Sequence, residues 1–87
     1  VRTSETEALE VIRGYAKAHR IEYSRHALRR MRERNINEQA IRHALVTAQK
    51  CILQENECWK VPSFDFSGCE LTVVLAIEDD LLVVTVF

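Results

Sequence analysis

The stretch Glu70–Phe87, ELTVVLAIEDDLLVVTVF, decides the fold. Residues 70–78 are apolar at almost every inner position, the pattern of a central strand covered on much of both faces. Asp79-Asp80 marks a tight turn, and Leu81–Phe87 returns as a second buried strand. With a two-residue turn, Leu71, Val73, Leu75 and Ile77 share a face with Leu82, Val84 and Val86, the natural cover for helices. Thr72, Val74 and Ala76 share the other face with Val83, Thr85 and Phe87. Thr85 is then a hydroxyl on the less hydrophobic side of the hairpin.

Working back from the hairpin, Ser67-Gly68 reads as a turn, and Cys51–Asn56 and Cys58–Phe66 as two further strands. Pro62 makes the second of these an edge or a bulged strand. Before Cys51 the period is helical. Asn37 caps a helix over Glu38–Gln49, with Ala40, Ile41, Ala44, Leu45 and Ala48 on its apolar face. His43 lies off that face and reads as a surface histidine. Ser24 caps a short helix over Arg25–Arg34. Ile21-Glu22-Tyr23 alternates briefly, as an edge strand or an extended connector. Ser4-Glu5-Thr6-Glu7 has the form of a capping box for a first helix over Glu5–His19, with Glu7 reaching back to the Ser4 amide. His19 falls where a helix C-terminus favours a cation. The fold class is α+β: three N-terminal helices on one face of a curved antiparallel sheet of about four strands, in a single domain over 1–87.

The chain has 87 residues and a formal net charge of −1. No apolar run approaches the roughly 20 residues of a membrane span, and the acidic N-terminal stretch is unlike a signal peptide. Three cysteines without C-x-x-C spacing argue against a zinc site or a disulfide framework, and for a reducing cytoplasm. No cofactor or metal is expected. The charge is unevenly spread. Residues 13–50 hold ten Lys/Arg against Glu22, Glu33 and Glu38, a balance of +7. Residues 51–87 hold Lys60 against seven acids, a balance of −6. The middle block can present a local positive surface despite the near-neutral total, so the implied partner is acidic: RNA, DNA or an acidic protein.

The basic block peaks in Ile21–Ile36, IEYSRHALRRMRERNI, which places one histidine and five arginines between Arg25 and Arg34. His26, Arg30 and Arg34 recur every four residues and form one stripe beside the apolar Ala27, Leu28 and Met31. An imidazole flanked by guanidinium groups suits binding, and cleaving, a phosphodiester. The plainer reading is a solvated arginine-rich face.

The run Ser24-Arg25-His26-Ala27-Leu28-Arg29-Arg30-Met31-Arg32-Glu33-Arg34-Asn35-Ile36, with the terminal Val83-Val84-Thr85-Val86, resembles the small bacterial domain-of-unknown-function family 4258. That family's pattern is S-x-H-A-x-x-R-M-x-x-R-x-I, ending in V-V-T-V. The resemblance covers residues 21–87 and leaves residues 1–20 as an added N-terminal helix. The family is grouped with RelE-like toxins in the barnase, EndoU, colicin and RelE fold group. It implies a RelE/barnase-like arrangement and a metal-independent endoribonuclease toxin, cleaving RNA (mRNA above all, and on the ribosome) with an antitoxin protein as partner. Carried over by motif, the catalytic residues are His26, Arg30, Arg34 and Thr85. Beside them, Arg25, Arg29, Trp59 and Lys60 are candidates for RNA binding, Trp59 by base stacking. A different class of function uses the same residues: a non-catalytic interaction module whose basic helix binds nucleic acid or an acidic protein. A helix-turn-helix reading of the second and third helices fits less well, because the third is alanine-rich and poor in base-reading side chains.

Overall fold

The computed structural model describes residues 4–87. Three helices, α1 (Glu5–Lys17), α2 (Arg25–Glu33) and α3 (Glu38–Val46), combine with five strands: β1 (Ile21–Tyr23), β2 (Ile52–Leu53), β3 (Trp59–Phe64), β4 (Glu70–Ile77) and β5 (Leu81–Val86). All three N-caps are the residues the sequence marks. The Ser4, Ser24 and Asn37 side chains accept from the amides of Glu7, Ala27 and Ala40, each meeting an orphan donor of the first turn. At the first cap the Glu7 carboxylate accepts from the Ser4 hydroxyl rather than from its amide.

Two helices end in the same way, on left-handed residues that are not glycine. His19 (φ 59°) follows α1 and Asn35 (φ 55°) follows α2. The His19 amide donates to the Ala16 carbonyl and the Arg20 amide to that of Tyr15. The Asn35 and Ile36 amides repeat the pattern on Arg32 and Met31. These are Schellman closures, which turn the chain sharply out of each helix and satisfy its last carbonyls.

The sheet runs β1-β5-β4-β3-β2. It is mixed and five-stranded, not the antiparallel sheet of about four strands expected, because Ile21–Tyr23 pairs in parallel with Leu81–Val83 at one edge. The other pairings are antiparallel. The β4–β5 register also differs from the two-residue turn. Ile77 pairs with Leu81, so Glu78-Asp79-Asp80 forms a three-residue connection. That one-residue change reverses the faces, and Leu81 and Val83 point into the core in place of Leu82 and Val84. A bulge then reverses them again. Leu75 pairs with Val83 and Val74 with Thr85, leaving Val84 without a partner in β4. Beyond it Val86 is buried, and Thr85 and Phe87 face outward, as the sequence indicated.

One core joins the layers. Ala8, Ile12 and Ala16 of α1, Ala27 and Met31 of α2, and Ile41, Ala44 and Leu45 of α3 pack against Trp59, Val61, Leu71, Val73, Leu75, Leu81, Val83 and Val86. α1 and α3 are tied reciprocally. The Arg13 guanidinium donates to the Ala48 carbonyl just past the end of α3. Arg42 of α3 donates to the Ala16 and Lys17 carbonyls at the end of α1. Each arginine thus meets the negative end of the other helix. Among the described residues no helix is long and apolar enough to cross a membrane.

Candidate functional site

β1 ends at Tyr23, so the C-terminal half of β5 has no strand on its outer side, and α2 takes that place. The Ser24 amide donates to the Val83 carbonyl, continuing the β1 pairing by one residue. The Ser24 hydroxyl then donates to the Val84 carbonyl at 2.9 Å while accepting from the Ala27 amide. One side chain therefore starts the helix and closes the bulged edge. Further along, Arg30 Nε donates to the Val86 carbonyl at 3.4 Å. An open edge is thereby covered by a helix, a common protection against stray strand pairing.

This docking fixes which way the helix faces point. Ala27 and Met31 are buried. Arg30 lies on the flank nearest β5, and His26, four residues earlier, shares that flank. Opposite the buried side, Arg25, Arg29 and Arg32 are exposed and form a ridge. Among the described residues the one ion pair is Arg20–Asp80, which ties the β1 approach to the β4–β5 connection. No carboxylate among the described residues lies within ion-pair distance of Arg25, Arg29 or Arg32.

Thr85 stands on the sheet face turned away from α1 and α3. It pairs with Val74, which pairs with Lys60, so Thr85, Val74 and Lys60 form one row across three strands. Two strand spacings put Lys60 and Thr85 roughly 10 Å apart at the backbone. Phe87 belongs to the next row, bonded in both directions to Thr72. The Lys60 ammonium lies 5.7 Å from the centre of its ring.

The candidate residues thus fall into groups. Arg30 and Thr85 lie at the C-terminal end of β5, with Lys60 across β4 in the Thr85 row and His26 on the adjoining flank of α2. Arg25 and Arg29 belong to the outward ridge. Arg34 is one turn further on and lines a cavity of about 340 Å³ with Asn35, Asn37, Asp65 and Glu70. Trp59 departs from expectation. It points to the helix side and is 6% exposed, so its indole is core packing and offers no face to a base.

The sequence reading missed Phe66. It is exposed in the β3–β4 turn, and its ring centre lies 4.4 Å from that of His43. A groove of about 570 Å³ runs beside this pair, lined also by His19, Tyr23, Glu38 and Arg42. Burial, then the Glu38 charge, pushes the Tyr23 phenol up to about 12. A phenylalanine in a polar turn was the available signal, but its contact is set by tertiary placement.

A family model described as Domain of unknown function (DUF4258) matches residues 23–87. No curated protein and no solved structure matches the chain. The matched span leaves α1 outside, although α1 supplies Ala8, Ile12 and Ala16 to the shared core.

Proposed function

The chain belongs to the Domain of unknown function (DUF4258) family, and we propose, from the site together with the resemblance of its motif to RelE-like toxins, that it is a metal-independent endoribonuclease of that kind. It acts on RNA, mRNA above all, and an antitoxin protein is its partner. The observation that carries this reading is the exposed arginine ridge Arg25, Arg29 and Arg32, without an ion-pair partner among the described residues, on a helix whose adjoining flank carries His26 and Arg30 beside the β5 end with Thr85. Guanidinium groups on a fixed helix suit phosphate.

In this mechanism the His26 imidazole takes the proton of a ribose 2′-hydroxyl. The 2′-oxygen attacks the adjacent phosphorus, and the bond to the 5′-oxygen breaks. That oxygen leaves with a proton from water, which the His26 imidazolium restores, giving a 2′,3′-cyclic phosphate and a 5′-hydroxyl, while Lys60 adds positive charge. The Arg30 terminal amino groups, which have no protein partner among the described residues, meet the developing negative charge. The Thr85 hydroxyl positions a phosphate oxygen, and Arg34, one turn beyond Arg30, holds a neighbouring phosphate beside its own cavity.

One observation favours a second reading. Arg30 Nε is engaged on the Val86 carbonyl, so α2 also braces the fold, as it would in a non-catalytic interaction module. Cleavage separates the two. Purified protein is incubated with mRNA in EDTA, with and without ribosomes. Wild type should yield fragments ending in cyclic phosphate, and His26→Ala should yield none while melting at the wild-type temperature. Intact RNA under both conditions, or undiminished cleavage by His26→Ala, would leave the interaction module.

A further inference from the structure

The sheet face opposite α1 and α3 carries no helix, yet it displays large apolar side chains. Phe64 is 55% exposed and Phe87 43% exposed. Both point outward with Lys60 and Thr85, since Phe64 alternates with the buried Trp59 and Val61 along β3. Phe87 pairs with Thr72, Thr72 with Pro62, and Phe64 lies two residues beyond Pro62. Strand spacing and rise put the two phenylalanines about 12 Å apart at the backbone. Both rings keep a large exposed area at that separation, Phe64 at the sheet edge beside Lys50 and Phe87 beside the Lys60 ammonium.

We propose that this bare face binds unpaired RNA, one base stacking on Phe87 and another on Phe64, with the intervening phosphates held by Lys60 and Thr85. The inference rests on the RNA reading of the α2 edge and extends it by naming the strandedness of the substrate. Three features select RNA as occupant over a protein. The Lys60 charge sits against the Phe87 ring inside the apolar patch; burying it under an apolar partner would be costly, whereas a phosphate beside a stacked base neutralises it. The hydroxyls of Thr72 and Thr85 flank the same ring as further phosphate or ribose partners. Finally, Thr85 and Phe87 stand on this face at the β5 end where Arg30 meets the Val86 carbonyl, so backbone held on α2 can continue onto it. Glu70 pairs with Phe64 and, with its carboxylate, sets the outer limit of the face. A paired duplex cannot offer its bases to the rings, so the face discriminates by strandedness; sequence-tolerant stacking is the mode other sheet platforms use.

The test compares a labelled single-stranded RNA dodecamer with the corresponding RNA duplex, binding to wild type, Phe64→Leu, Phe87→Leu and the ridge variant R25A/R29A/R32A. Leucine keeps apolar area and removes the stacking surface. Wild type should prefer the single strand, and each leucine variant should weaken single-strand binding roughly tenfold with duplex binding unchanged. The ridge variant should lose affinity for both. Equal wild-type affinity for both RNAs, or unchanged single-strand binding by both leucine variants, overturns the stacking face while leaving the ridge. Wild type that binds neither RNA overturns the RNA reading itself. A monomer–dimer equilibrium abolished by Phe64→Leu or Phe87→Leu assigns the face to a second copy and overturns the proposal.

Discussion

Ser24 joins the sequence motif to the sheet, and its removal has a calculable cost. Its hydroxyl accepts the Ala27 amide at 3.0 Å as N-cap of α2 and donates to the Val84 carbonyl at 2.9 Å. Ser24→Ala removes both. Loss of an N-cap side chain costs about 1 kcal/mol. Removing the donor from a half-buried carbonyl costs about 1 kcal/mol more where water cannot replace it. Ser24 is half-buried, so solvent recovers part of the second cost, and the sum is about 1.5 kcal/mol. For a domain of this size that corresponds to a fall in Tm of about 6–12 °C. Thermal unfolding followed by circular dichroism measures it, with Ser24→Thr as control, because threonine retains a hydroxyl able to make both bonds. A fall below about 3 °C for Ser24→Ala, or an equal fall for Ser24→Thr, would refute the claim that this hydroxyl holds α2 to the open edge of β5.

The Schellman closures predict a gain. His19→Gly should stabilise by up to about 1 kcal/mol, and Asn35→Gly by less, because asparagine already tolerates the left-handed region; urea unfolding checks both. Tyr23 predicts an alkaline weakness. Its folded pKa of about 12 exceeds the ordinary 10, through burial first and the Glu38 charge second. The unfolded chain therefore ionises first, so this contribution to stability is whole below pH 10 and is lost as pH rises towards 12. Denaturant midpoints measured across that window should fall less steeply for Tyr23→Phe.

The helices were legible because their signals are local. Ser4, Ser24 and Asn37 cap where the sequence places them, and the apolar spacing of α3 names its buried Ile41, Ala44 and Leu45. The sheet was legible in composition but not in register. The inward side of Leu81 or Leu82 depends on one residue of loop length, and the bulge at Val84 on how α2 meets the edge. The parallel β1–β5 pair joins residues about sixty positions apart, and three residues of alternation cannot specify a partner. Of the candidate residues, Arg30 and Thr85 lie at one end of β5, with His26 on the adjoining flank of α2 and Lys60 two strands away. Trp59 failed because alternation along β3 does not say which side faces the helices, and an isolated tryptophan fits either. Several arginines of the basic block proved to have structural work: Arg13 and Arg42 hold helix ends, and Arg20 holds the β4–β5 connection.

The central claim is that a chain of net charge −1 engages a polyanion through one helix face. The salt dependence of its affinity for single-stranded RNA tests that most directly. Each phosphate neutralised on a single strand contributes about −0.7 to the slope of log affinity against log salt. Contacts by Arg25, Arg29 and Arg32 should therefore make the wild-type slope steeper than that of R25A/R29A/R32A by about 2. These exposed side chains should leave Tm nearly unchanged. Equal slopes and affinities for the two proteins, or an affinity flat in salt for wild type, would contradict the account.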